Sequence, residues 1–426
     1  MRHNPIFLLF LLLAGTAFAQ TGHPPFTLKP VPGFFQTPVD GNIIQPTGVA
    51  VNSKGHVFVF NKGHHQLMEF DAKGQFVRAL GKGMFKDPHG LRIDAQDNIW
   101  TTDLESHLVI KMNPEGRVFM VLGQNGTSGL YDDVGGKILF FNPADVAFGR
   151  NGEIYVADGY GNARVAHLDR NGKLIKSWGE KGAQPGNFDN PHNAVYVNNR
   201  LYIADRNNKR IQVFDGAGKF IEQWTHVGKP WGLALSPESY LYVAEGDAEK
   251  VYKLDLAGKV LGVFDAGPGT GDGHFHAAHG IATGLDEELY VTEVLNWRVQ
   301  KLEQQWQQGD WHRVLAHGHA HRRSESAFVE SGGKFYLLGG RNVRKLDIYD
   351  PATNTWSSGA DQPIEMHHFQ AVDYKGEIWI MGAFTGPFPK EEPIAFIHVY
   401  NPATNTWRTA GRLPEGRHRG AAGVLL

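Results

Sequence analysis

The 426-residue sequence predicts an all-β protein made of two repeat arrays. A four-strand pattern of about 40 residues recurs six times up to Leu302, and a different pattern recurs twice after it. Composition agrees, since 52 Gly, 26 Phe, 13 Tyr and 10 Trp suit many short strands joined by tight turns. Apolar residues make up 41% and charged residues 20%, with a mean hydropathy of −0.34, as in a water-soluble globular chain. Lys and Arg total 42 against 44 Asp and Glu, so no basic excess exists to neutralise a phosphate backbone and nucleic acid is excluded as a partner. With 0 Cys, disulfides, thiolate metal sites and cysteine nucleophiles are excluded as well.

The N-terminus comes first. Met1-Arg2-His3 is basic, residues 6–13 are unbroken apolar sequence, and Ala17-Phe18-Ala19 is a small-residue cleavage signal. The apolar run falls short of the roughly 20 residues of a membrane helix, so residues 1–19 are expected to be a signal peptide. The expected location is secreted or periplasmic in a bacterium, with no membrane span after cleavage.

Residues 20–302 hold the first array. Its units open at Pro46-Thr47-Gly48-Val49, Pro88-His89-Gly90-Leu91, Pro143-Ala144-Asp145-Val146, Pro191-His192-Asn193-Ala194, Pro230-Trp231-Gly232-Leu233 and Ala278-His279-Gly280-Ile281. Their second strands end in an acid or amide, as in Thr101-Thr102-Asp103, Val156-Ala157-Asp158, Ile203-Ala204-Asp205, Val243-Ala244-Glu245 and Val291-Thr292-Glu293. These acids are expected to serve the blade turns. Each unit reads as a four-stranded antiparallel meander, the size of one propeller blade, and six blades close a ring without a long exposed edge. The units resemble NHL repeats.

Beyond Leu302 the pattern changes. Ile348-Tyr349-Asp350-Pro351-Ala352-Thr353-Asn354-Thr355-Trp356 returns as Val399-Tyr400-Asn401-Pro402-Ala403-Thr404-Asn405-Thr406-Trp407, and Gly339-Gly340 closes the strand before the first copy. This resembles kelch repeats, so residues 324–426 are expected to form two blades of an incomplete kelch-type propeller, which points to a protein partner. Two blades cannot bury their own ends. Residues 303–323, with His317-Gly318-His319-Ala320-His321, read as a solvated linker.

The residue after each opening position is, in order, Thr47, His89, Ala144, His192, Trp231 and His279. Blades two, four and six carry histidine. In a six-fold ring those blades lie about 120° apart, so three imidazoles at equal depth converge on the axis. Three neutral histidines with an open fourth position are the donor set of a catalytic zinc site. Lys62, Tyr160 and Arg206 follow second strands on the same face. They are candidates for a proton acceptor and for anchors of an anionic substrate.

Residues 49–302 resemble peptidyl-α-hydroxyglycine α-amidating lyase, a six-bladed NHL propeller. The specific segments are Pro88-His89-Gly90-Leu91 with Ile99-Trp100-Thr101-Thr102-Asp103, Ala157-Asp158-Gly159-Tyr160-Gly161-Asn162-Ala163-Arg164-Val165, Pro191-His192 with Ala204-Asp205-Arg206, and Ala278-His279. The resemblance implies zinc on His89, His192 and His279, Tyr160 as base, Arg206 as carboxylate anchor, and a peptide or small-molecule substrate carrying a carboxylate. It implies cleavage of a carbinolamide C–N bond to give an amide and glyoxylate. Lys62 stands where the family has a second arginine. A structural calcium is a further implied cofactor, held by the backbone carbonyls of Val49 and Leu91, although Gly280 stands where the family has an aspartate. Gly161 replaces a family cysteine. The competing reading is a non-catalytic propeller that binds a protein or glycan.

Overall fold

The computed structural model describes residues 26–132, 137–305 and 316–415; the signal-peptide reading of residues 1–19 and the chain end at 416–426 lie outside the described residues. The chain forms two compact units, residues 1–311 and 312–426. Strands dominate both, and among the described residues no helix is long and apolar enough to cross a membrane.

Among the described residues, the first unit contains six four-stranded antiparallel sheets, one per repeat. Blade one is Gly48–Val51, Val57–Phe60, Leu67–Phe70 and Phe76–Leu80. The innermost strands of the other blades are Pro88–Ile93, Asp145–Phe148, Pro191–Val197, Pro230–Leu235 and Ala278–Thr283. Each packs on the next, and Ala278–Thr283 also packs on Gly48–Val51, so the ring is closed. Second strands such as Ile154–Asp158 and Leu289–Glu293 are buried along their whole length, because a neighbouring blade covers both of their faces. That is why they read as nearly continuous apolar runs. Apolar cores fill every gap between blades; Val59, Phe70, Tyr290 and Val299 join the sixth blade to the first.

The sixth blade departs from the expected meander. Its three C-terminal strands, Ala278–Thr283, Leu289–Glu293 and Arg298–Gln304, take their outer partner from the other end of the unit. Leu28–Pro30 pairs antiparallel with that last strand, Leu28 opposite Gln304 and Pro30 opposite Leu302. Leu28 is buried among Tyr242, Phe275, Leu289 and Leu302. Leu28→Ala is expected to cost about 2–5 kcal/mol of stability in denaturant titration of the full chain. A loss below about 0.5 kcal/mol, the scale of an ordinary surface change, would show that this strap adds nothing.

Among the described residues, the second unit contains two four-stranded sheets that share one core, including Tyr336, Leu338, Met366, Ile378 and Tyr400. The seven-residue Tyr-to-Trp spacing has a local cause. Tyr349 packs on Trp356 with ring centres 5.3 Å apart and donates to Asn354 at 2.9 Å. Tyr400 repeats this with Trp407 at 5.1 Å and Asn405 at 2.8 Å. The histidines read as linker are partly built into this unit. The His317 backbone bonds Asn354 and Trp356, and His321 bonds Asp347 at 2.8 Å.

Candidate metal centre

His89, His192 and His279 each occupy the extra residue of a β-bulge at the start of an innermost strand. Pro88 pairs with Asp103 but Leu91 with Thr101; Pro191 pairs with Asp205 but Asn193 with Ala204; Ala278 pairs with Glu293 but Ile281 with Val291. A bulge re-aims its side chain out of the ladder, and here all three turn towards the axis. Their ring centres stand 4.8, 4.9 and 4.9 Å apart, and all three are buried.

The acids that close the second strands set these bulges. Asp103 accepts the N–H groups of Lys86 and Asp87 at 2.8 and 2.9 Å, ahead of His89. Asp205 accepts that of Asp189 at 2.7 Å, and Glu293 that of His276 at 3.2 Å. Asp205 and Glu293 also pair with Arg210 and Arg298, both at 2.7 Å. Their turn role, expected from the sequence, therefore extends to aiming the histidines.

Each imidazole is oriented by the following odd-numbered blade. His89 Nδ1 lies 2.7 Å from the Ala144 carbonyl, His192 Nδ1 2.6 Å from that of Trp231, and His279 Nδ1 2.8 Å from that of Thr47. A carbonyl only accepts, so Nδ1 carries the proton and Nε2 keeps its lone pair. Three lone pairs then face one buried point. Burial, aided by the charge of Arg206, holds all three rings neutral. His89 is lowered to about 3, and His192 and His279 lie well below the usual imidazole range. A cluster of neutral buried acceptors with preset tautomers fits a cation, and these three nitrogens can hold a metal ion.

Tyr160 closes one side. Its hydroxyl lies 3.1 Å from His89 Nε2 and 2.9 Å from His192 Nε2, and accepts a bond from Arg206 at 3.1 Å. The residue is 40% exposed, while its hydroxyl points into this set of partners. Burial raises its pKa, and the Arg206 charge opposes the rise. Glycines on both sides bring this loop close. A Cβ at Gly159 would lie 2.0 Å from the Pro191 carbonyl, and one at Gly161 would lie 2.1 Å from the Phe141 ring. Arg206 lies between two aromatic faces, 5.2 Å from the Tyr160 ring centre and 4.7 Å from that of Trp231, and its Nε has no hydrogen-bond partner among the described residues. Lys62 pairs with Asp87 at 2.6 Å, and its charge helps depress His89 and His279.

His89, His192, His279, Tyr160 and Arg206, five of the six sequence-derived candidates, thus gather at one place, and the sixth, Lys62, acts on it through its charge. Trp231, which stacks on Arg206, and Asp87, which holds Lys62, were not foreseen. The implied calcium does not fit. A small cavity of about 10 Å³ is lined by Val49, Leu91, His89, His279, Arg92 and Asp145 among others. Asp145 is the one carboxylate among the described residues that line it, and it pairs with Arg92 at 2.6 Å. Calcium needs several free oxygen ligands, and a guanidinium already neutralises this one.

The NHL repeat family matches residues 140–168 and 188–214, and the kelch motif matches 322–363. The chain is 29% identical to mouse peptidyl-glycine alpha-amidating monooxygenase over 58% of its length, spanning 29% of that protein. It is 27% identical to the probable peptidyl-alpha-hydroxyglycine alpha-amidating lyase of Caenorhabditis elegans over 61% of its own length and 82% of the relative's. Mouse NHL repeat-containing protein 3 is 31% identical, with 50% of this chain and 70% of that protein covered. The ring of six repeats and these identities together place the chain in the NHL-repeat family that includes NHL repeat-containing protein 3, with homology to the peptidyl-α-hydroxyglycine α-amidating lyases.

Proposed function

We propose that the propeller is a zinc-dependent carbon–nitrogen lyase that cleaves peptidyl-α-hydroxyglycine into a peptide amide and glyoxylate. The observation that supports this most directly is the converging Nε2 set of His89, His192 and His279, with the Tyr160 hydroxyl within 3.1 Å of two of its members. Zinc bound there would supply a Lewis acid with an open position, lowering the pKa of the substrate hydroxyl.

The chain's own groups account for the rest. Tyr160, as phenolate, takes the hydroxyl proton; burial disfavours that form, and the adjacent Arg206 charge offsets part of the burial. The O–H electron pair becomes the carbonyl of glyoxylate, the C–N bond breaks, and its pair leaves on the amide nitrogen. Tyr160 then returns the proton to that nitrogen, so the step balances without a further reactant. Arg206 holds the substrate carboxylate through its free edge, and its stacked position fixes the plane of the fork. Lys62 adds a second positive charge. Residues 1–19 support export of the protein, and the kelch repeats support docking of a protein partner.

Metal content and turnover of an α-hydroxyglycyl peptide test the reading. One zinc per chain with release of glyoxylate is the expected result. A metal-free protein without turnover would leave the propeller a binding module. Arg206→Gln is expected to raise KM for the carboxylate substrate about 10–100-fold, as for loss of a charge-assisted hydrogen bond of about 1.5–3 kcal/mol. An amide-capped substrate should show no such change between the two proteins. Equal KM for the carboxylate in both would remove Arg206 from binding.

A further inference from the structure

Arg92 lies three residues beyond His89 on the innermost strand of blade two, and its side chain crosses the interior of the ring. Nε contacts both Asp145 oxygens at 3.1 Å, and one terminal nitrogen reaches Asp145 Oδ2 at 2.6 Å. The other terminal nitrogen donates to the Leu233 carbonyl at 3.1 Å. Further bonds run to the Ala194 carbonyl at 3.2 Å and to Asn193 Oδ1. One guanidinium from blade two therefore meets oxygens of blades three, four and five. The oxygens are themselves fixed: Asp145 accepts the Ala194 N–H at 3.0 Å, and Asn193 accepts that of Leu233 at 2.9 Å.

We infer that the Arg92 guanidinium is the permanent cation of the propeller interior, doing the cross-linking that a divalent ion would otherwise do. Two carbonyls, an amide oxygen and a carboxylate from separate blades are the ligand chemistry of a hard cation such as calcium. Here a side chain of the protein fills that role through hydrogen bonds and an ion pair. A second positive ion beside it would meet repulsion without a free carboxylate. Position 280 cannot supply one, because a Cβ there would lie 2.6 Å from the Thr47 carbonyl oxygen. The inference is independent of the lyase reading, since it concerns the frame beneath the triad and not turnover.

The test compares thermal midpoints of the full chain with and without millimolar calcium, zinc being saturating in both arms so that the histidines do not contribute. For the wild type the two curves should coincide, and the purified protein should carry no stoichiometric calcium. A ligand that binds only the native state raises its midpoint, so a calcium-dependent rise of several degrees in wild type would overturn the inference. Arg92→Ala should melt earlier than wild type and gain several degrees with calcium, because the vacated oxygens become available. A folded Arg92→Ala protein that ignores calcium would also overturn it. Should that variant not fold, Arg92→Lys keeps the charge with fewer bonds. It should melt earlier than wild type without a calcium response, and a response there would count against the inference.

Discussion

Tyr160→Phe is expected to lower kcat about 10²–10⁴-fold, the range for loss of a positioned proton-transfer group. The ring, its packing against His89 with centres 5.1 Å apart, and the cation over its face all survive the substitution. Metal content and KM should therefore stay close to wild type. The pH profile gives the sharper readout. Burial raises the Tyr160 pKa, so the phenolate fraction, and with it kcat, should climb as the solution becomes more alkaline. That climb should vanish in the phenylalanine variant. A variant that keeps both its rate and its pH dependence would remove Tyr160 from the chemistry.

His192→Ala is expected to have the larger effect on the metal. Removing one of three nitrogen donors should weaken binding by more than about 100-fold, exceeding the 10–100-fold typical of losing a group that merely supports a ligand. Dialysed protein should then carry no stoichiometric metal and show no turnover. The substitution also strands the Trp231 carbonyl, which now accepts the His192 N–H, so some stability is lost as well. His192→Gln separates the two effects, because its amide can donate to that carbonyl while offering only a weak donor to the metal. Full metal occupancy in either variant, measured by elemental analysis, would show that the three histidines do not act as one site.

The parts of this molecule that were legible in the sequence are those where repetition supplies its own alignment. Six openings in register make the alternation Thr47, His89, Ala144, His192, Trp231, His279 visible, and ring geometry turns that alternation into convergence. The repeat of Tyr349 and Trp356 as Tyr400 and Trp407 was legible for the same reason. Roles for Tyr160 and Arg206 came through family resemblance, and the structure places both at the triad. What could not be read depends on groups that every residue owns or on contacts between distant segments. Thr47, Ala144 and Trp231 orient the histidines through backbone carbonyls, so their side chains carry no signal. Arg92 and Asp145 sit in different repeats, and nothing local marks their pairing. Leu28–Pro30 is three residues long, too short to show the two-residue period by which strands are recognised.

The strap formed by Leu28–Pro30 ties the earliest part of the first unit to its last strand. Residue 28 and its partner Gln304 stand far apart along the chain, so the sixth blade is complete only when both are in place. Until then the first five blades can assemble in succession, each on the one before, while the ring stays open on two flanks. Final closure then resembles fastening a clasp: it converts a curved stack into a cooperative whole. Limited proteolysis during refolding of the full chain should find the open form, and cleavage should cease once the clasp has closed.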